Sequence, residues 1–312
     1  MKKANGTILL TCLLIGFSSS LPAQDLGPDF TKVKDGIYIR SASESDPRPN
    51  ARILNSNAGI ILTQEGVVLI DSGQNPEDSR ALLAAVRKLT DLPVRFLINT
   101  EPHPDHATGN FVFSPPAWVV GHTGATEAIH SRHEPERITE YRNQSPAARA
   151  AADGFRLVTP HIEYGDRMTL YMGERILELR YLKNVHSEAD TAVWLPRERI
   201  LFAGPAALPN AWNRLRPSVS IPDIIGHMKT LQSLNPEVVI PGHGPTITAK
   251  GFDDSIRFYE LLLERVGSME REGKSLDQIK QELRMPEYDH LLHRERIPEN
   301  IDAAYRAVKA GY

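Results

Sequence analysis

Four potential metal ligands fall within six consecutive residues, directly after an apolar segment. Residues 93–99 (PVRFLIN) predict a buried strand, and the loop after it carries Glu101, His103, Asp105 and His106. A loop at the end of a rigid strand can turn several side chains toward one point. Imidazole and carboxylate groups together suit zinc and similar divalent ions. The sequence therefore predicts a metal site at this strand end, held by a β-sheet.

Strand and helix signals are mixed along the whole chain. Short apolar runs bounded by glycine-containing turns predict strands, and apolar residues at helical spacing predict helices. Their mixture in both halves predicts a layered α/β architecture. Strands are predicted at 36–40, 57–62, 66–71, 93–99, 118–121, 156–158, 168–171, 175–181, 191–195, 200–203 and 238–240, and helices at 78–89, within 123–152, at 223–234 and from 252 to the end.

The first two dozen residues differ in kind from the rest. A basic start at residues 1–3 (MKK) precedes an apolar run at residues 7–17, and Ala23 has the small side chain that suits the position before a cleavage. This pattern is typical of a secretory signal peptide over residues 1–23, so we expect a periplasmic or secreted protein. A membrane anchor is the alternative, but the run is well short of the roughly 20 residues that a spanning helix needs.

The predicted mature chain divides into a main domain and a tail. We expect one domain over residues 24–265 and a charged helical extension over residues 266–312. The single cysteine, Cys12, lies within the predicted signal peptide. Any metal in the mature chain must therefore be held by His, Asp and Glu.

The charge balance narrows the range of partners. With 36 basic and 39 acidic residues, the formal net charge is -3. A nearly balanced charge argues against the broad basic surface of a nucleic-acid-binding protein. We expect a small-molecule substrate, no nucleic acid and no stable membrane anchor, while the oligomeric state stays open.

Two further histidines stand in suggestive settings. His186 follows a predicted strand, and His243 lies in a rigid turn at residues 241–245 (PGHGP). By itself, His186 is more often a surface or satisfied core histidine than a ligand. The cluster at residues 101–106 is much harder to explain as a solvated polar loop.

An ordered series of short stretches resembles the metallo-β-lactamase fold superfamily. The resemblance covers roughly residues 30–265, and the order and spacing of the stretches make it specific. It implies an αββα sandwich, in which two β-sheets face each other, helices lie outside, and the metal site lies in the groove at the sheet edges. The stretches are VVLIDSG at 67–73, INTEPHPDH at 98–106, VGH at 120–122, His186 with Asp190, LFAG at 201–204 and IPGHG at 240–244.

The resemblance also implies how the ligands divide between two zinc sites. Asp71 would hold the metal loop by hydrogen bonds without ligating a metal. The first site would consist of Glu101, His103 and His186, and the second of Asp105, His106 and His243.

Two positions depart from the family pattern. The family usually has His at the position of Glu101, and it commonly has a bridging Asp at the position of Pro205, which cannot ligate. The site pattern is thus most similar to the third subclass of metallo-β-lactamases, which lacks this bridge and includes variants with Gln or Glu for the first His. Because a carboxylate is anionic and harder than imidazole, we expect an altered affinity and metal preference at the first site.

The resemblance implies an exported hydrolase that uses one or two zinc ions. Bound zinc lowers the pKa of water to about 7; the resulting hydroxide would attack a carbonyl, with Asp105 as the catalytic residue. A β-lactam amide is the most specific substrate candidate. Another ester, a lactone or a thioester is one alternative, and a non-catalytic metal-binding module of the same fold is another. The substrate-binding candidates, of which the arginines could bind a carboxylate bidentately, are Asn210, Trp212, Arg214 and Arg216.

Overall fold

Two β-sheets lie face to face at the centre of the structure, with helices on both outer sides. This computed structural model describes residues 25–41, 56–132 and 134–312. The predicted signal peptide at residues 1–23 and Cys12 lie outside the described residues. The layers form the αββα sandwich that the sequence predicts, and the fold class is therefore confirmed.

The first sheet joins an antiparallel half to a parallel half. Within the described residues its strands, in spatial order, are β1 (Phe30–Lys34), β2 (Ile37–Arg40), β3 (Ala58–Thr63), β4 (Gly66–Ile70), β5 (Val94–Ile98), β6 (Trp118–His122) and β7 (Ile162–Tyr164). Neighbours are antiparallel from β1 to β4 and parallel from β4 to β7. Every residue of β4 is buried, as is typical of a strand covered on both faces.

The second sheet is mostly antiparallel. Its strands in the described part of the chain are β8 (Arg167–Met172), β9 (Arg175–Tyr181), β10 (Thr191–Leu195), β11 (Ile200–Gly204) and β12 (Val238–Pro241). Their spatial order is β12-β11-β10-β9-β8, and β11 pairs with β12 in parallel. The carboxyl ends of β11 and β12 therefore lie together at one edge of the sheet.

The helices cover the outer faces of both sheets. They are α1 (Pro76–Leu89), α2 (Pro104–Ala107), α3 (Asn110–Phe113), α4 (Ala125–Arg132), α5 (Pro135–Gln144), α6 (Pro146–Ala151), α7 (Ile221–Ser233), α8 (Gly251–Arg271), α9 (Leu276–Glu282) and α10 (Ile297–Lys309), with short 3-10 helices at Pro286–Tyr288 and Arg294–Arg296. Helix α1 begins at Pro76, two residues before the predicted start, because proline suits the first helical turn.

A buried apolar layer between the sheets holds them together. Ile70 and Ile98 from the first sheet and Phe202 and Ile240 from the second belong to one cluster. A second cluster joins the outer face of the first sheet to α1 and α3, and a third joins the outer face of the second sheet to α7, α8, α9 and α10. The predicted tail thus packs on the sandwich through a shared core.

The C-terminal helices continue the main domain without a break. Helix α8 is one helix that crosses residue 265, the predicted limit of the main domain. The indole ring of Trp212 packs edge-on against Phe258 of α8, with the ring centroids 4.8 Å apart. Helix α8 therefore helps to bury the loop that precedes α7.

One predicted strand is wrong and two strands have no counterpart in the prediction. Residues 156–158 form no strand, because the side chain of Asn110 donates a hydrogen bond of 3.0 Å to the carbonyl of Val158 in place of a strand neighbour. The short strand β7 pairs with β6 instead. Strand β1, which is mostly exposed, carries too little apolar alternation to be predicted.

A substitution at Gly59 can test how closely the two sheets pack against each other. A Cβ atom at Gly59 would lie 2.5 Å from the ring of Phe202 on the facing sheet. We expect Gly59→Ala to lower the free energy of unfolding by about 1–3 kcal/mol, because overpacking forces the sheets or the ring to shift. Urea-induced unfolding measures this change in the free energy of unfolding.

Gly165→Ala is the matched control, because a Cβ atom there meets nothing within 4 Å. Its free energy of unfolding should change by no more than about 1 kcal/mol. Equal effects of the two substitutions would show that the sheets do not constrain Gly59.

Candidate metal centre

Four strand ends carry the predicted ligands to one edge of the sandwich. Asp71 follows β4, the cluster at residues 101–106 follows β5, His186 lies between β9 and β10, and His243 follows β12. Strands β4 and β5 are parallel neighbours, so their carboxyl ends meet at the same edge. Residues more than 140 positions apart in the chain (101 and 243) are therefore brought together.

The predicted first site forms one compact group of donor atoms. The carboxylate oxygen Oε2 of Glu101 lies 3.5 Å from Nε2 of His186 and contacts Nδ1 of His103. The rings of His103 and His186 meet edge-on, with centroids 5.0 Å apart. All three ligand atoms lie within 4.8 Å of one another, so one ion could contact them together.

The predicted second site forms a tighter triangle. Nε2 of His106 lies 3.3 Å from Nε2 of His243 and 3.4 Å from Oδ2 of Asp105, and the latter two atoms are 3.1 Å apart. Tetrahedral zinc with bonds of 2.0–2.1 Å would place its ligand atoms about 3.3 Å apart. The donor set and its spacing therefore fit a zinc ion.

Asp71 fixes the orientation of the metal loop. Its carboxylate accepts hydrogen bonds from the backbone nitrogen of Thr100 at 2.7 Å, from Oγ1 of Thr100 at 2.6 Å and from Nδ1 of His106 at 2.8 Å. With Nδ1 of His106 donating, the lone pair of that ring lies on Nε2, which points into the second group. The structure places Asp71 where the predicted supporting role requires it.

The loops that carry His186 and His243 are held by side chains to which the sequence analysis assigned no role. Asp190 accepts hydrogen bonds from the backbone nitrogens of His186 and Ser187, at 2.6 and 2.8 Å. Asn57 donates from Nδ2 to two backbone carbonyls in the turn around His243, at 2.8 and 2.9 Å. The asparagine gives no sequence signal, because its partners are almost 190 residues away.

Burial and neighbouring charges decide the protonation of the ligands. Burial lowers the pKa of His186 to about 3, so its imidazole is neutral at physiological pH. Burial alone would raise the pKa of Asp105, but the charges and hydrogen bonds of His106 and His243 outweigh it and hold that pKa well below its usual range. A neutral imidazole and an ionised carboxylate are the forms that bind metal ions.

A cavity of about 560 Å³ opens onto both donor groups. Besides the ligands, its lining is dominated by arginines from distant elements. Three of them have acidic partners, since Arg137 pairs with Glu134, Arg132 lies 2.7 Å from Glu188, and Nε of Arg296 lies 3.9 Å from Glu295. The arginines in the lining are Arg132, Arg137, Arg214, Arg216 and Arg296.

Two of the predicted substrate contacts line this cavity. Arg214 is exposed there and has no ion-pair partner among the described residues. Nη1 of Arg216 lies 3.2 Å from Nε2 of His186, directly above the first group. Sequence reasoning missed Arg132, Arg137 and Arg296, because nothing in the chain order links them to the loop at residues 205–222.

The other two candidates, Trp212 and Asn210, do not line this cavity. Trp212 is 2% exposed and belongs to the apolar core beneath α8, because the C-terminal helices cover it. Asn210 accepts a backbone hydrogen bond of 2.9 Å from Leu292 and lines a neighbouring cavity. Both residues tie the loop to the C-terminal segment.

In the described part of the chain, no helix has the length and apolar character needed to cross a lipid bilayer.

The sequence and the fold both match known proteins. The family described as "Metallo-beta-lactamase superfamily" matches residues 51–243. The structure resembles that of a stereoselective inverting sec-alkylsulfatase from Pseudomonas sp., with a TM-score of 0.67 and 19% identity over 91% of this chain and 50% of the other. At that identity the likeness shows the fold alone.

Two proteins with similar sequences are named for different activities. The chain is 38% identical to a linear primary-alkylsulfatase from Pseudomonas sp. over 50 residues, which are 16% of this chain and 10% of the relative. It is 30% identical to metallo-beta-lactamase type 2 from Bacteroides fragilis over 194 residues, 61% of this chain and 69% of the relative. This chain thus spans only a small part of the first relative.

The hydrogen bonds of Asp71 predict a test of the metal centre. We expect Asp71→Asn to weaken zinc binding about 10–100-fold, because the amide would present a donor to groups that already donate. Competition with a chromophoric chelator measures the affinity. Asp166→Asn, at a side chain that is 89% exposed, is the matched control and should bind zinc like the unchanged chain. Equal affinities of all three chains would contradict the role of Asp71.

Proposed function

The chain belongs to the metallo-β-lactamase superfamily, and on that premise we propose that it is a metal-dependent hydrolase of small anionic molecules. The observation that carries this proposal is the triangle of Asp105, His106 and His243, whose spacing fits zinc, on the floor of a cavity lined with arginine. Members of this superfamily are metal-dependent hydrolases. We propose zinc as the ion because imidazole nitrogens make up most of the donor set.

The proposed chemistry divides between the ion and the chain. Zinc, when bound, supplies a Lewis acid and lowers the pKa of a coordinated water to about 7. One oxygen of Asp105 faces His106 and His243, so its other oxygen can orient the attacking water by a hydrogen bond. Asp71 holds His106 in one tautomer throughout the reaction.

The arginines would bind the negative charge of the substrate. Arg214 can hold a carboxylate through two parallel hydrogen bonds, because its guanidinium is exposed in the cavity without an acidic partner among the described residues. Binding of the charged group by Arg214 would position the scissile bond of the substrate next to the two metal sites. Arg216 contacts His186, and its charge would add to the positive electrostatic potential in the cavity.

A β-lactam is the first substrate candidate. Its ring amide is a carbonyl that water can attack, and β-lactam antibiotics carry a carboxylate that suits Arg214. The named relative from Bacteroides fragilis supports this choice at 30% identity. Export, proposed from residues 1–23, would also place the enzyme where such compounds arrive.

An alkyl sulfate is the second candidate. Five arginines line the cavity, more than a single carboxylate needs, and they suit the tetrahedral sulfate group, which offers several acceptor oxygens. Two of the compared proteins are named alkylsulfatases. Other esters, lactones and thioesters remain candidates for the same centre.

Metal removal tests the proposed chemistry. We expect a chelator to abolish hydrolysis and added zinc to restore it. Asp105→Ala should lower kcat by about a hundredfold or more, because it removes both a ligand and the group that orients water. The substrate is identified by measuring product formation from a panel of compounds. The panel consists of a penicillin, a carbapenem, a lactone, a thioester and a medium-chain alkyl sulfate.

The control for this experiment is His290→Ala, at an exposed histidine outside the metal centre. It should leave turnover unchanged. Full activity after chelation, or wild-type turnover of Asp105→Ala, would overturn the proposal. A chain that binds no zinc and hydrolyses none of the panel would instead support a non-catalytic module of this fold.

Arg214 tests the class of substrate. We expect Arg214→Ala to lower kcat/KM for the anionic substrate about 10–100-fold, mainly through KM, because a charge-assisted hydrogen bond is lost. Arg214→Lys should retain part of the affinity, since the charge remains while the bidentate geometry is lost. Steady-state kinetics measure both.

Arg167→Ala is the matched control, because Arg167 is 67% exposed on β8 and does not line the cavity. Its KM should be unchanged. If Arg214→Ala raised KM no more than this control, Arg214 would not bind the substrate.

A further inference from the structure

The carboxylate of Glu101 lies between the two donor groups. Oε1 lies 3.1 Å from Nε2 of His106, which belongs to the second group. Oε2 faces the first group, where it contacts Nδ1 of His103 and lies 3.5 Å from Nε2 of His186. Each oxygen is thus turned toward a different set of imidazoles, and Glu101 completes a metal-binding cluster with either set.

Burial leaves this carboxylate without an ordinary counter-charge. Glu101 is 3% exposed, and among the described residues no lysine or arginine lies within ion-pair distance of it. Its close neighbours are three of the four histidines in the two groups, namely His103, His106 and His186. An ionised carboxylate in such a place is costly unless cations compensate it. Two metal ions, one on each side, would do so.

A neutral imidazole could serve only one of the two sites. The two oxygens of a carboxylate share one carbon and can each bind an ion on neighbouring sides, whereas the two nitrogens of an imidazole ring point away from each other. A histidine at position 101 would therefore serve one ion. The other departure from the family pattern, Pro205, follows β11 and offers no side-chain donor atom.

We propose that Glu101 bridges the two metal sites, with Oε1 serving the site of Asp105, His106 and His243 and Oε2 serving the site of His103 and His186. The two unusual positions are then complementary: the chain lacks an acidic bridge at Pro205 and supplies one at Glu101. This inference rests on the proposed metal dependence, but it concerns the architecture of the centre and can be measured by binding alone.

Single-site backgrounds test the bridge. His103→Ala disables the first site and leaves the second, and His243→Ala does the reverse. Glu101→Gln and Glu101→Asp are placed in each background, and zinc affinity is measured by competition with a chromophoric chelator. A bridge predicts that Glu101→Gln weakens zinc binding about tenfold or more in both backgrounds. Weakening in only one background would assign Glu101 to a single site and overturn the bridge.

Glu101→Asp separates geometry from charge. It keeps the negative charge but is one methylene shorter, so it cannot reach both groups, and we expect it to lose affinity in at least one background. Zinc affinity equal to that of Glu101 in both backgrounds would show that charge alone matters, and would overturn the bridge. Circular dichroism establishes that each variant is folded.

Glu101→His in the otherwise unchanged chain gives a second measurement that needs no disabled site. The imidazole replaces the ligand of the first site but cannot serve the second. A bridge predicts that this variant still binds two zinc ions, one of them about tenfold or more weaker than in the unchanged chain. Two ions bound with unchanged affinities would overturn the bridge. An unchanged chain that binds no zinc would instead overturn the proposed metal dependence.

Discussion

The three hydrogen bonds to Asp71 are the interaction on which the metal centre depends. They join the end of β4 to the loop after β5, through the backbone and side chain of Thr100, and they fix the tautomer of His106. A buried carboxylate is stable only when its acceptors are filled. Because Asp71 is 1% exposed, the fold must deliver those donors to it. The same hydrogen bonds that satisfy the buried carboxylate of Asp71 therefore also orient His106 toward the metal site.

The sandwich explains why the centre lies at one edge. The parallel pairs β4–β5 and β11–β12 end there, and each pair releases a loop that carries histidine. The apolar layer between the sheets sets their separation, and Gly59 allows Phe202 to fill it. The arginines of the cavity come from α4 and α5, from the loop before α7 and from the segment before α10. The ligands of the centre and the arginines of the cavity thus come from different elements of the fold.

Sequence patterns predicted most of the strands and the donor residues, because both leave local signals. Parallel strands that are buried on both faces are continuous apolar runs, and a cluster of ligands after such a run is rare. The strand predicted at residues 156–158 failed because a side chain, Asn110, satisfies the carbonyl of Val158. Trp212 could not be told from a substrate contact, because its burial depends on helices more than 40 residues later in the chain.

The sequence by itself determined the layered α/β class, the ligand types and the membership of the cluster at residues 101–106. Those properties follow from local periodicity and from which side chains can donate electron pairs. Only the tertiary structure decided that Glu101 lies between two groups, that Arg214 faces the cavity, and that Asn57 supports the turn around His243. Each of these features depends on distances between segments that are remote in the chain. The packing of the two sheets sets those distances, and no local sequence pattern encodes them.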